Sequence, residues 1–285
     1  MSTFNTSMFE SIKDALAKND SGGTYTEIMK TTPGHTYTVR LLPYATDPKN
    51  TFFHFYNQGW VSNSTGQYVQ TLSPTTFGER DPISEARFKD LRVGSEEDKE
   101  RAQAIKRMEK WLVNVYVVDD PQNPDNNGKV KLLRYGKQLH KIITEAIEGE
   151  DAEEFGARIF DLGSDGASFK VKCEQQGDYP TYVSSRFTTV GKIDLSEDKQ
   201  KEIYDSVFDL TKVFPLKSYD ELVKMLDEHY YTGTNNTADS HVESSGVSQP
   251  SAQADVKVDP VTSSVSTPVQ EADTDLDIDE LLKDL

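Results

Sequence analysis

The segment from Trp111 to Tyr135 constrains the fold of this chain more than any other. Residues 111–118 read WLVNVYVV, an apolar and aromatic run that is strongly β-prone. Asp119-Asp120-Pro121 and Asn123-Pro124 break it, and Asn127-Gly128 reads as a turn into a second strand. That strand carries Lys129, Lys131 and Arg134 with Tyr135, and Gly136-Lys137 leads into a helix expected over 137–148. A strand-turn-strand of this kind commits the middle of the chain to a sheet.

The same region is anomalous in charge. The whole chain is at −17, yet between Arg101 and Lys141 nine basic side chains stand against four acidic ones, about +5. The acidity is concentrated elsewhere: residues 235–285 carry eleven acidic side chains and two lysines, about −9, which leaves about −8 for the rest. Setting the tail aside halves the objection that so acidic a protein should repel a polyanion. Local clustering has to answer the remainder.

Composition excludes several classes. With 285 residues the chain is one large domain or two small ones, and 35% hydrophobic content is enough for a core. No apolar run approaches the length of a membrane span, and the N-terminus MSTFNTSMFES has no basic or apolar signal region. Cys173 is the sole cysteine, which rules out an internal disulfide and fits a reducing cytoplasm. Nucleotide-cradling glycine loops, HExxH and GxSxG are absent, and the five histidines (35, 54, 140, 229, 241) lack ligand spacing. Asp119-Asp120 could hold Mg²⁺ in a nuclease, but DDPxNP reads as a turn.

Taken in order, residues 1–20 are expected to form an N-terminal arm. Ser7 and Glu10 have capping-box spacing, and Met8, Phe9, Ile12 and Leu16 share a helical face for packing on the same domain or on a neighbouring copy. The core is expected over 21–232. Strands are expected over 35–43, 51–60 and 66–72, with turn residues over 73–83 and a helix from Ser95 to about Lys110. Residues 167–187, ASFKVKCEQQGDYPTYVSSRF, put Lys170 and Lys172 on one strand face and add Tyr179, Tyr182 and Arg186. Helices follow over about 196–210 and 218–230. Residues 233–285 have disordered composition, ending in TDLDIDELLKDL, where Asp275, Leu276, Asp277, Asp279, Leu281, Leu282 and Leu285 suit a peptide that folds on a partner. Short strands with peripheral helices and no βαβ alternation predict an α+β, barrel-like body.

A basic groove with aromatic faces is what a single nucleic-acid strand needs, since phosphates pair with the charge and bases stack at about 1–3 kcal/mol each. Lys106, Arg107, Lys110, Lys129, Lys131, Arg134, Lys137 and Arg186 supply charge; Trp111, Tyr116, Tyr135, Tyr179 and Tyr182 supply faces. The competing class is an acidic scaffold that binds no DNA. VRLLP (39–43), VVDDPQNPDNNGKVKLLRYGK (117–137), FKVKCEQQGDYPTYVSSRF (169–187) and TDLDIDELLKDL (274–285) together resemble the single-stranded DNA-binding, helix-destabilising proteins of the T-even-type bacteriophages. The resemblance implies an OB-fold body with a small β subdomain, a basic aromatic cleft, an acidic tail that engages replication and recombination proteins, and cooperative coating of single strands in the host cytoplasm. It also implies a structural zinc held by one His and three Cys. Here Gln58 falls at the His, Asp81 and Ser84 at the Cys-x-x-Cys pair, and Leu72 or Ser73 at the last Cys. No zinc is therefore expected, and Phe53, Trp60 and Tyr68 are the predicted core of that subdomain. The family's N-terminal basic cluster has no counterpart before Lys13.

Overall fold

In the computed structural model, which describes residues 27–189 and 191–232, the central strand-turn-strand is the spine of a curled antiparallel sheet. Its strands are β1 (His35–Leu42), β2 (Phe52–Val61), β3 (Tyr68–Leu72), β4 (Met108–Asp119), β5 (Val130–Tyr135), β6 (Phe169–Gln176), β7 (Tyr179–Thr181) and β8 (Arg186–Phe187). β4 is the hub. Along one edge, its residues from Trp111 to Tyr116 pair with β5. Along the other edge β2 pairs with Met108 to Val113, and β1 takes over from Asn114 to Asp119. A long strand that changes partner midway curls the sheet around itself, and a register irregularity at Thr38/Val39 adds to the bend.

Burial of β4 on both faces explains why WLVNVYVV lacks polar alternation. Trp111, Val113, Val115 and Val117 pack with Tyr37, Val39, Leu133 and Phe169. On the other face Leu112 joins Phe53, Phe55, Leu132 and Phe214, and Tyr116 joins Leu42, Leu162 and Ile203. Asn114 is the buried exception. Its amide donates to the Phe208 carbonyl and accepts from the Phe208 N–H, each at 2.9 Å, so both ends are satisfied.

Five helices surround the sheet among the described residues: α1 (Pro82–Val93), α2 (Glu96–Ala104), α3 (Lys137–Glu148), α4 (Glu197–Asp205) and α5 (Tyr219–Leu226). α3 has its predicted bounds, and reciprocal capping boxes start α2 at Ser95/Asp98 and α5 at Ser218/Glu221. Three expectations need correction. α2 stops at Ala104 rather than near Lys110, because Met108 to Lys110 pair with Asn57 to Phe55 of β2. α1 stands where the sequence predicts turn residues up to 83 and no element between them and Ser95. Its start is signalled by Asp81, whose side chain accepts from the Ile83 N–H, and by Pro82 in the first turn. α4 ends at Asp205, short of Leu210, as the chain turns towards Asn114.

The end of β2, β3, α1, α2 and α5 make a subdomain around Trp60, Ile83, Ile105, Leu222, Leu226 and Tyr230. Of its three predicted core residues, only Trp60 is there. Phe53 belongs to the cluster beneath β4, and Tyr68 is partly exposed, lying across Gly59, where a Cβ would meet its hydroxyl at 2.2 Å. The C-terminal segment is fastened on by Trp60 Nε1 donating to the His229 carbonyl at 3.2 Å and by the Tyr230 hydroxyl donating to Asp90 at 2.9 Å. The predicted arm with Met8, Phe9, Ile12 and Leu16, and the acidic tail, lie outside the described residues.

Candidate nucleic-acid interface

The antiparallel register sets His54 opposite Trp111 and Tyr56 opposite Glu109, so these four side chains share one face of the sheet. Their rings make a ladder. The Arg107 guanidinium lies 4.1 Å from the Tyr56 ring centroid. Tyr56 meets His54 edge-on at 5.0 Å, His54 stacks on Trp111 at 5.0 Å, and Trp111 stacks on His140 of α3 at 4.0 Å and 10°. Tyr135 completes the group at 6.2 Å from Trp111. The His54 side chain is 43% exposed and Tyr56 and His140 are half-buried, whereas Trp111 at 8% is mostly covered by its neighbours.

Charge along the ladder is mixed. Glu109 reaches His54 Nε2 at 2.7 Å with one oxygen and Lys137 Nζ at 3.6 Å with the other. His140 is held below the ordinary histidine pKa, first by burial; His54 adds to the shift and Glu109 opposes it. Burial likewise pushes the Tyr135 hydroxyl up, and among the described residues that hydroxyl and His140 Nδ1 have no hydrogen-bond partner.

The two aromatic-basic stretches meet at the start of α3. Gln138, next to Lys137, accepts from the Tyr182 N–H at 2.8 Å, and the Tyr182 hydroxyl bonds Thr31 Oγ1 at 2.7 Å. Tyr179 is 47% exposed and Arg186 is exposed nearby in sequence. The remaining sequence candidates divide by face. Trp111, Tyr135 and Lys131 lie on the ladder's side of β4 and β5, while Lys110, Tyr116 and Arg134 lie on the opposite one. Lys110 and Tyr116 are buried, Lys131 pairs with Glu27 at 2.7 Å, Lys106 is half-buried, and Lys129 is exposed in the turn.

Sequence reasoning passed over His54, Tyr56, Glu109 and His140. The alternation of Phe52, His54 and Tyr56 in β2 was the available signal for the first two. His140 follows Lys137 by three positions on α3, which places the two on neighbouring turns of one face. Asp120 has a different task. Its buried carboxylate accepts from the N–H groups of Gln122 and Asn123 at 3.1 and 2.9 Å and from Asn126 Nδ2 at 2.8 Å. It therefore organises the turn after β4. Among the described residues, no group of three or more His, Cys, Asp or Glu is placed to hold a metal ion.

Comparison with known proteins places the chain in a family. The family described as gp32 DNA binding protein like matches residues 34–229, more than half of the chain, and takes in all eight strands. The single-stranded DNA-binding proteins of Enterobacteria phage T4 and Enterobacteria phage T2 are each 28% identical over 191 residues. Those matches cover 65% of this chain and 62% of each relative, so less than two thirds of the relatives' length is represented. On this match the chain belongs to the gp32 DNA-binding-protein-like family, a family of binding proteins rather than enzymes.

Proposed function

We propose that this chain binds single-stranded DNA without sequence preference and coats it cooperatively during phage replication, recombination and repair, in the cytoplasm of the bacterial host. The observation that carries the reading is the ladder Arg107–Tyr56–His54–Trp111–His140, bordered by Lys137. The exposed His54 ring and the half-buried Tyr56 and His140 rings offer base-stacking faces, and Arg107 at one end and Lys137 beside the other can take phosphates. Glu109 holds His54 and Lys137 in place when no strand is bound, and an incoming phosphate would exchange for that carboxylate. We read the curled sheet as an OB-fold-like barrel, with the ladder and the Tyr179–Arg186 segment as the walls of its cleft.

Titration with oligo-dT, following Trp and Tyr quenching at several salt concentrations, tests this. Tight binding with log K falling by about 0.7 per phosphate contact against log salt is the expected result. Absence of binding would leave an acidic scaffold protein. In the same reading Met8, Phe9, Ile12 and Leu16 join neighbouring copies along the strand. The terminal Leu–Asp segment competes with DNA for the cleft and, once displaced, engages replication and recombination proteins.

A further inference from the structure

The zinc that the family resemblance implies can be tested against the residues at its four positions. Structural Zn²⁺ takes thiolate, imidazole and carboxylate ligands in a tetrahedron. Gln58, Ser73, Asp81 and Ser84 offer one amide, two hydroxyls and a single carboxylate. They do not fit. Leu72, the other residue at the last position, packs in the apolar cluster with Phe53 and Phe55.

What these residues do instead is bond one another. Asp81 is buried, and its Oδ2 accepts from the hydroxyls of Ser73 at 2.6 Å and Ser84 at 2.8 Å, while Oδ1 accepts from the Ile83 N–H at 3.0 Å. Gln58 Nε2 donates to Ser84 Oγ at 3.0 Å. Ser73 gives its proton to Asp81, so Thr75, at 2.9 Å, must be the donor to Ser73 Oγ. An N-cap needs only the bond to Ile83. The two serine hydroxyls, one of them eight residues upstream, make the carboxylate a joint between the β2–β3 hairpin and α1.

The joint also reaches the ladder. Arg107 Nη1 donates to Thr75 Oγ1 at 3.1 Å, and the same guanidinium covers Tyr56. The Ser73 N–H donates to the Tyr56 carbonyl at 2.8 Å, and the Tyr56 N–H to Thr76 Oγ1 at 2.9 Å. We infer that the Gln58–Ser84–Asp81–Ser73 cluster is a metal-free replacement for the zinc, holding the hairpin to α1 and, through Thr75, positioning Arg107 over Tyr56. Only the Arg107 clause rests on the single-strand reading.

The test uses the full chain. Metal analysis of the purified protein is expected to find no stoichiometric zinc, and its melting temperature is expected to be unchanged by EDTA or by added Zn²⁺. Asp81→Asn cannot accept three hydrogen bonds, and Ser73→Ala removes one donor without touching the cap. Each is expected to lower the melting temperature, by about 5 °C or more for Asp81→Asn. Stoichiometric zinc, a chelator-lowered melting temperature, or wild-type melting of both variants would overturn the inference. For the positioning clause, Thr75→Val should melt near wild type yet lose part of the oligo-dT affinity that Arg107→Ala loses. If Arg107→Ala weakens binding and Thr75→Val does not, positioning through Thr75 is wrong. If neither weakens it, both the clause and the ladder reading fail, while the melting data still decide the joint.

Discussion

His54 and Tyr56 are the residues whose roles are most open to direct measurement. Both lie on the exposed side of β2, and each presents a ring beside a cation or another ring. Replacing either with alanine should cost about 1–3 kcal/mol in oligo-dT binding while leaving the fold intact; unchanged affinity in both would remove the ladder from the cleft. Tyr135 should behave differently. Its hydroxyl is buried with no partner among the described residues, so Tyr135→Phe should be neutral or slightly stabilising in thermal melts and should leave DNA affinity unaltered. His140 predicts a pH effect. Its folded pKa lies below 6.5, so on acidification the unfolded chain takes up the proton before the folded one does. Stability from this site is complete above about pH 6.5 and is lost as pH falls through that value toward the folded pKa. His140→Phe keeps the stack on Trp111 without the proton. Melts at pH 7.5 and 5.5 should show the variant gaining on wild type at the lower pH, and parallel pH dependence would refute the assignment.

At the scale of elements, β4 holds the molecule together because it pairs with three strands and is covered on both faces. Its weak point is Asn114, whose amide is the clasp between the sheet and the segment after α4. Asn114→Ala leaves the part-buried N–H and C=O of Phe208 unpaired and should cost about 1–3 kcal/mol, measurable by chemical denaturation. A second clasp is Arg40, which is buried in β1 and donates to Ser168 Oγ at 2.9 Å, the Asp161 carbonyl at 2.6 Å and the Gly191 carbonyl. Gly166 makes room for it. A Cβ there would lie 1.6 Å from Arg40 Nη1 and 1.9 Å from the Asp161 carbonyl, so Gly166→Ala should destabilise the chain by about 3 kcal/mol. Wild-type stability of that variant would mean that the loop repacks freely.

For the molecule as a whole, the distribution of charge matters more than the total. The net −17 is divided between a C-terminal stretch of about −9 and a body of about −8, within which residues 101–141, carrying β4 and β5 and the start of α3, stand at about +5. If the stretch competes with DNA, a chain ending at residue 232 should bind oligo-dT more tightly than the full chain at low salt. The two should converge as salt screens the competition. Equal affinities at low salt would sink the competition idea.

The parts that depend on local chemistry are legible in the sequence. Alternation and turn residues located β1, β2, β3, β5 and β6, capping boxes located the starts of α2 and α5, and the WLVNVYVV run located the hub strand. The sequence also marked residues 101–141 as a basic, aromatic island, because local charge in an acidic chain is visible without coordinates. Which of those residues lie side by side is set by strand pairing across the sheet. Period-two alternation says that Trp111 and Tyr116 differ in parity, but only the pairing of β4 with β2 and β5 places Trp111 beside His54 and Tyr135 and sends Lys110, Tyr116 and Arg134 to the far face. His54 and Trp111 are 57 positions apart in the chain and opposite one another in the sheet, and no local propensity encodes that register. The same holds for the Asp81 cluster, whose members come from a strand, a loop and a helix start and acquire meaning only once folding brings them within hydrogen-bond distance.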